Sequence, residues 1–385
     1  MNQTNNTSCI IRMPKVDFDM PITDLIMELE KLRYKSVKGT TPPYIFYQIR
    51  AVFQMIESIG SSRIEGNNTT IADYIESTKI SKETITEQEQ IEEIQNIERA
   101  MLYIEQHIDD TPINLQLIRE LHILAVQGLS PKKEGAAHPG QFRESNVKIG
   151  GSKHVPVDYL QVAPLMQELI DFANTEHSPK YDLLKIAIIH HRFVWIHPFE
   201  NGNGRVVRLF TYALLLKFVF KSKDRIINPT AVFCSDRDAY YHYLALADQG
   251  TDEGLISWAE YMLRGLKGEI EKIDNLLDND YLKSHILIPT LKHALDNKYI
   301  TETDFKVLTL AIDGLIQSSD LLKVLPGTSS SERSRIIRSL IEKKMLLPIK
   351  ENARKYYIQF NYNYLLRSLM IQLDNNGFLP EKKQS

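Results

Sequence analysis

The chain has little cysteine, no long unbroken apolar run and almost no net charge, and each shortage removes a class of protein. Two cysteines in 385 residues, Cys9 and Cys234, cannot build a disulfide framework, and neither has the CxxC or His-paired spacing that holds zinc. This usage points to a reducing, cytoplasmic setting. A formal net charge of −3 gives no global attraction to nucleic acid or an anionic membrane, which leaves only local patches to consider. The longest apolar run, Leu209 to Phe220, is broken by Thr211 and Lys217 and is too short to span a bilayer. It reads as a buried core helix, and no membrane partner is expected. Residues 1–15 are rich in Asn and Thr and lack the apolar stretch of a secretory signal, so they read as a disordered or extended arm.

Strand-like alternation is also scarce. Helical periodicity recurs from Ile22 onward, and the expected fold class is mainly α. The length implies two or three domains, with boundaries at 1–110, 111–273 and 274–385. Pro42-Pro43 followed by Ile45, Phe46, Ile49, Val52, Phe53 and Ile56 is a helix start with an apolar stripe. Thr84 to Gln106 reads as an amphipathic helix whose acid-rich stretch, Glu87 to Glu93, forms a solvated face. Further helices are expected over Asn114 to Gln127 and Asp182 to Val194. In the latter, His190 and His191 read as packed, hydrogen-bonded histidines. Adjacent helical residues point in different directions, which argues against a metal triad with His197. One break in the helical pattern stands out: Val147-Lys148-Ile149 and His154-Val155-Pro156 flank Gly150-Gly151-Ser152, predicting a short β-hairpin.

The chemistry concentrates in His197-Pro198-Phe199-Glu200-Asn201-Gly202-Asn203-Gly204-Arg205-Val206-Val207-Arg208. Gly202, Asn203 and Gly204 allow positive φ and close backbone approach where a helix begins, so successive N–H groups can converge on an anion. Arg205 and Arg208 are three apart, hence on one helix face, where guanidinium forks can hold adjacent phosphates. His197 stands where a proton acceptor could face the phosphorus under attack. A chance match to so many fixed positions is on the order of one in a billion per start point, unlike a lone Gly-x-Gly.

This stretch resembles the signature of the Fic family, His-Pro-Phe-x-[Asp/Glu]-Gly-Asn-Gly-Arg-x-x-Arg, whose best-known members transfer AMP from ATP to protein hydroxyls. The resemblance implies a helical Fic core over 111–273 with a small β-hairpin flap. It also implies that His197 deprotonates the target hydroxyl, that Gly202, Asn203 and Gly204 form the anion hole, and that Phe199 anchors the loop. Arg205 would contact the α- and β-phosphates of the substrate ATP, and Arg208 the γ-phosphate. Asn201 stands where the family usually carries the Asp or Glu that binds Mg²⁺; Mg²⁺ is therefore expected, with affinity weakened by the missing charge. The flap, here Val147, Lys148, Ile149, His154 and Val155, would clamp a target protein by strand addition. Asp236, Tyr240 and Tyr241 resemble the segment bordering the nucleotide base, although core packing accounts for both tyrosines almost as well.

Ser61-Ser62-Arg63-Ile64-Glu65-Gly66 is similar to the family's inhibitory motif in the class whose inhibitory helix precedes the core. That similarity implies a region, 1–110, in which Ser61, Glu65 and Gly66 place a carboxylate on Arg208 and hold resting activity low. The expected function is an autoinhibited protein adenylyltransferase that also modifies itself. Two alternatives stay open: removal of AMP from modified targets through Glu65, and a DNA-binding regulator whose Fic core senses nucleotide.

Beyond residue 274 the chain reads as a linker helix and a separate module. Phe305 to Ile316, Ser318 to Val324 and Ser330 to Lys344 read as three short helices, followed by Leu346-Leu347-Pro348-Ile349 and Tyr356-Tyr357-Ile358 around a polar turn. The order resembles a winged helix-turn-helix. Arg333, Arg335, Arg338, Lys343, Lys344, Lys350, Arg354 and Lys355 outnumber Glu332, Glu342 and Glu351, a local excess suited to DNA phosphates through residues 318–355. Winged helices also serve protein interaction, so a protein partner and a homodimer stay open at this point.

Overall fold

The computed structural model describes residues 11–34, 39–77, 85–150, 152–220, 226–227, 229–361 and 363–379. Cys9, Thr84 and Gly151 lie outside them. In chain order the helices are α1 (Pro21–Tyr34), α2 (Pro43–Ile64), α3 (Ile71–Ser77), α4 (Ile85–His107), α5 (Leu115–Val126), α6 (Tyr159–Asn174), α7 (Asp182–Ile196) and α8 (Asn203–Leu214). They continue with α9 (Pro229–Ser235), α10 (Arg237–Ala247), α11 (Asp252–Asp274), α12 (Asn279–Tyr281), α13 (Ile288–Asp296), α14 (Glu302–Ile312), α15 (Ser330–Glu342) and α16 (Tyr364–Asn375). Strands β1 (Leu346–Pro348) and β2 (Tyr356–Ile358) form the one ladder among the described residues. The fold is mainly α, as the periodicity predicts. No helix among the described residues is long and apolar enough to cross a membrane.

Chain contacts separate into two compact units, one comprising 1–36, 57–69 and 82–271, the other 37–56, 70–81 and 272–385. In the first unit α7 is buried on nearly every side, its polar residues Lys185, His190, His191 and Arg192 included, as in a helix enclosed by others. Leu184, Ala187 and Phe193 on it are buried to 0% exposure, and the Trp258 indole donates to the Ala187 carbonyl at 2.7 Å. Its neighbour α8 buries Val206, Phe210 and Leu214 in the same core. The helical run expected through Phe220 changes character: after Leu214 the backbone loosens into a π-helical turn, Leu215–Val219.

The hairpin expected at Val147 to Val155 does not form a ladder. A turn is present, with the Ser152 N–H donating to the Ile149 carbonyl at 3.3 Å, but the flanks carry no strand assignment. Their polar groups are spent elsewhere. The His154 N–H donates to Ser152 Oγ at 3.1 Å while its ring bonds the Trp195 carbonyl at 2.8 Å, and Pro156 has no N–H to give a partner strand.

In the second unit, α14 and α15 each begin with a capping box, Thr301 with Asp304 and Ser329 with Glu332. The segment expected as a helix over Ser318 to Val324 is a 3₁₀ turn, Ser318–Lys323. Ile316 forms an antiparallel bridge to Tyr356, beside the β1–β2 pair in which Leu346 faces Ile358. The Gln48 amide, from the first half of α2, donates to the Ile358 carbonyl at 2.9 Å and accepts from the Phe360 N–H at 2.7 Å.

Both tryptophans of the chain, Trp195 and Trp258, lie in the first unit, so their fluorescence reports its unfolding alone. Truncating the fully buried Phe210 to alanine should lower that unit's stability by roughly 3–5 kcal/mol, measured by urea denaturation. A loss below about 1 kcal/mol would mean that α8 is not packed as described.

Candidate active site

The turn between α7 and α8 is held open by residues that cannot themselves react. The chain leaves α7 through His197 at φ 54°, and Pro198 blocks continuation of the helix. It enters α8 through Gly202 at φ 78°, where a Cβ would lie 3.0 Å from Val126 Cγ1; the left-handed backbone and the close neighbour both require glycine. Asn203 staples the loop. Its Oδ1 accepts the Phe199 N–H at 2.9 Å and its Nδ2 donates to the Phe199 carbonyl at 2.8 Å. Phe199 is fully buried and stacks on the His122 ring with centroids 3.8 Å apart.

His122 is a structural member of this site that sequence reasoning passes over, and Arg143, which the sequence places only in the Gly140 to Arg143 lead-in to the expected flap, is another. His122 Nδ1 accepts the Gly140 N–H at 2.8 Å, so its other nitrogen carries the proton and donates to the Asn201 carbonyl at 3.2 Å. Burial pushes this ring down to about 4, which keeps it in the neutral state the two bonds require. Arg143, 3% exposed, gives its Nε–H to the His197 carbonyl at 2.8 Å, and its own backbone N–H bonds the Pro198 carbonyl at 2.9 Å. It is a clamp on the turn carrying His197. The signal available in sequence was only that a lone His falls on an apolar helix and an Arg falls between turn residues.

His197 is partly exposed, but desolvation of its ring by the surrounding core drives it down to about 4; the Val194 carbonyl and the Glu65 carboxylate oppose the shift and Arg143 reinforces it. The imidazole is therefore a neutral acceptor at neutral pH. The helix start at Asn203, Gly204 and Arg205 presents N–H groups that no intrahelical carbonyl can satisfy.

Arg208, 3% exposed, is fully engaged by the end of α2. Its Nε donates to Ser61 Oγ and its Nη2 to the Ser61 carbonyl, each at 2.9 Å, and Nη2 pairs with Glu65 Oε1 at 2.7 Å. Burial opposes ionisation of Glu65, but Arg208, helped by Arg205 and Arg237, holds its carboxyl below the ordinary range. The same Oε1 lies 2.0 Å from where a Cβ on Gly204 would be. A carboxylate thus rests against the opening of α8, in the space the glycine leaves free. Gly66 follows at φ 102° and ends the helix.

Arg205 is placed differently. It has no exposed surface, and its guanidinium lies 3.3 Å from Glu93 Oε1 and 2.9 Å from Glu134 Oε2, with the Glu134 carbonyl at 2.7 Å. The expectation of a solvated acidic face over Glu87 to Glu93 is corrected here, because Glu93 is 3% exposed and turned inward to this cation. Its other oxygen accepts from Asn67 Nδ2 at 2.7 Å, two residues beyond Glu65, and Asn67 Oδ1 in turn accepts the Thr69 N–H. The segment that carries Glu65 is thereby tied to the acid that neutralises Arg205.

The remaining expected residues divide. Asp236 caps α10 by accepting the Ala239 N–H, and Tyr240, 2% exposed, bonds His190 Nε2 at 3.0 Å in the core. Tyr241 stays exposed, with the Arg237 guanidinium 5.5 Å from its ring centroid. His190 also bonds Thr211 and His191 pairs with Asp248, so both are packed, hydrogen-bonded histidines. Asn201 donates its amide N–H to the Gly135 carbonyl at 2.9 Å. Among the described residues no three His, Cys, Asp or Glu side chains converge on one point. With an amide at 201 and Glu134 committed to Arg205, the donors present do not fit a protein-held Mg²⁺.

A helical core with an anion-opening turn between two buried helices is the Fic arrangement, and residues 112–215 match the Fic/DOC family model. Those residues therefore carry a segment similar to the Fic/DOC domain. Over 205 residues it is 34% identical to a protein adenylyltransferase Fic of Drosophila virilis, a stretch covering 52% of this chain and 39% of that protein. The chain thus matches about two fifths of the length of its curated relative. A Fic family protein from Desulfovibrio desulfuricans superposes with a TM-score of 0.55 at 21% identity, covering 90% of this chain and 98% of that one. Fic-1 from C. elegans superposes at 0.50 with 18% identity over 65% of this chain and 70% of that one. Both structures show the fold alone.

The rings of His122 and His197 should titrate near pH 4 rather than near the ordinary 6.5. Imidazole ¹⁵N NMR at about pH 6 should therefore find both neutral. A midpoint at or above the ordinary value for either ring would remove burial as the controlling cause.

Proposed function

We propose that the chain is an autoinhibited protein adenylyltransferase that moves AMP from ATP to a hydroxyl side chain. The observation that carries this reading is the Glu65 carboxylate, paired with Arg208 and resting over Gly204 at the start of α8. A site built to be filled by the protein's own anion is a site for an anionic ligand. The relative named as a protein adenylyltransferase supports ATP as the donor and a protein as the acceptor.

In the reaction, the target hydroxyl oxygen attacks the α-phosphorus and its proton passes to His197. The bond from that phosphorus to the β-phosphate bridging oxygen breaks, and pyrophosphate leaves. The α8 N–H groups and the guanidinium of Arg208 neutralise the phosphate charge once Glu65 has withdrawn. Catalysis here is positioning and charge neutralisation with one base. Arg205, enclosed by Glu93 and Glu134, acts on phosphate only if Glu134, its half-exposed partner, gives way. The loop Val147 to Val155, anchored through His154 beside Trp195, supplies the edge on which a target segment, including one of this chain, would lie.

Replacing Glu65 by glycine frees a charge-assisted pair worth roughly 1.5–3 kcal/mol, so self-labelling with α-labelled ATP should rise about 10- to 100-fold. His197→Ala in that background should lose about 10²- to 10⁴-fold. Equal labelling by the parent and both variants would sink the assignment. Labelling by Glu65→Gly should show no ionisation near pH 6.5, because the substitution removes a group that raises the His197 pKa.

Asn67→Ala cuts the tie between the Glu65 segment and Glu93 and should raise labelling of the parent chain, by less than Glu65→Gly does. Added to Glu65→Gly it should change little. An additive increase would mean that Asn67 acts elsewhere.

A further inference from the structure

We infer that the second unit is a winged helix that docks on duplex DNA, with α15 in the major groove and the β1–β2 turn along the phosphates. Four observations on that unit converge. The first is element order: α14, the bridging residue Ile316, the 3₁₀ turn Ser318–Lys323, α15, β1 and β2. Ile316 pairs with Tyr356 on β2, a single antiparallel bridge beside the two-stranded ladder. The connection into α15 turns at Gly327, φ 87°, as a helix-turn-helix requires of its tight corner.

The second is the face that α15 leaves exposed. Ile337 and Leu340 are buried, whereas Ser331, Ser334, Arg335 and Arg338 are exposed at helical spacing of three and four. Hydroxyls and guanidinium forks are the donors that contact phosphate oxygens and guanine edges. The acid nearest this stripe, Glu332, is turned back into the capping box, where Oε2 accepts the Ser329 N–H at 2.7 Å.

The third is the turn between the strands. The Ile349 N–H bonds the Lys355 carbonyl at 3.1 Å, and Asn352 at φ 60° tightens the loop. Exposed Lys350, Arg354 and Lys355 face solvent there against Glu351 alone. The fourth is that most of these cations are in no ion pair, although Arg335, after the Ser329 hydrogen bonds, helps hold the Glu332 carboxyl below its ordinary range. Lys343 is paired with Asp304 at 2.8 Å, but among the described residues Arg335, Arg338, Lys344, Lys350, Arg354 and Lys355 are in no salt bridge. A protein-binding face would centre on apolar and aromatic side chains and be poor in lysine. Between β1 and β2 Ile349 is the one exposed large apolar side chain, with Leu315 and Leu322 exposed before α15, and exposed single apolar residues are ordinary.

The test uses the full chain and a fluorescent mixed-sequence duplex of about 30 base pairs, titrated over a series of salt concentrations. Binding should be measurable at low salt and fall steeply as salt rises, because each neutralised phosphate adds about 0.9 to the slope of log K against log salt. The pair R335Q and R338Q should weaken binding about 10-fold or more and reduce that slope by about 2. A control pair on exposed lysines of α13 and its end, K292Q and K298Q, should leave both unchanged, and thermal melting should show all variants folded. Absence of duplex binding at low salt, or equal weakening by the control pair, overturns the proposal. So does a chain that fails to bind duplex but sediments as a dimer which R335Q and R338Q dissociate, since the face would then belong to a second copy.

Discussion

A guanidinium taken out of water must find an anion, and two arginines one helical turn apart on α8 are both buried. The surrounding fold is arranged around that requirement. Glu65 comes from the end of α2 to Arg208, Glu93 from α4 and Glu134 from the loop before Gly135 to Arg205. The two solutions differ in permanence. Glu93 is enclosed and fixed by Asn67, whereas Glu65 and Glu134 keep access to solvent. A phosphate ligand can therefore replace the outer carboxylates without exposing the inner one. In the proposed function, the charge that would attract ATP also attracts the protein's own acids, and autoinhibition is that competition.

The turn bearing His197 is rigid for reasons that have nothing to do with proton transfer. Asn203 spends both ends of its amide on the Phe199 backbone, His122 bridges Gly140 and Asn201, and Arg143 grips the His197 carbonyl. Each of these groups is a buried polar atom satisfied by a specific partner, which leaves the loop a single low-energy shape. Burial of the same residues lowers the His197 pKa. Rigidity and a neutral base thus have one origin.

Much of the site was legible in the linear pattern. His197, Gly202 and Arg208 stand in one stretch whose backbone and charge demands are local, and Ser61 with Glu65 formed a second short pattern. What could not be read was the inward turn of Glu93. An acid-rich amphipathic helix predicts solvated carboxylates unless a buried cation lies opposite, and Arg205 is more than a hundred residues away. The loop at Val147 to Val155 shows the converse limit. Its turn chemistry was right for a hairpin, yet the His154 N–H is taken by Ser152 Oγ and Pro156 has none, so no ladder forms.

By itself the sequence determined the mainly helical class, the glycine turn at the start of α8, and a serine cap for α15 among Ser329, Ser330 and Ser331. These rest on dihedral preferences and hydrogen bonds between residues within a few positions of each other. Only the tertiary structure decided which carboxylate meets which arginine, which tyrosine of Tyr240 and Tyr241 is buried, and how far the His197 ring is depressed. Those outcomes depend on desolvation and on distances between segments far apart in the chain, and neither quantity exists until the core has closed around them.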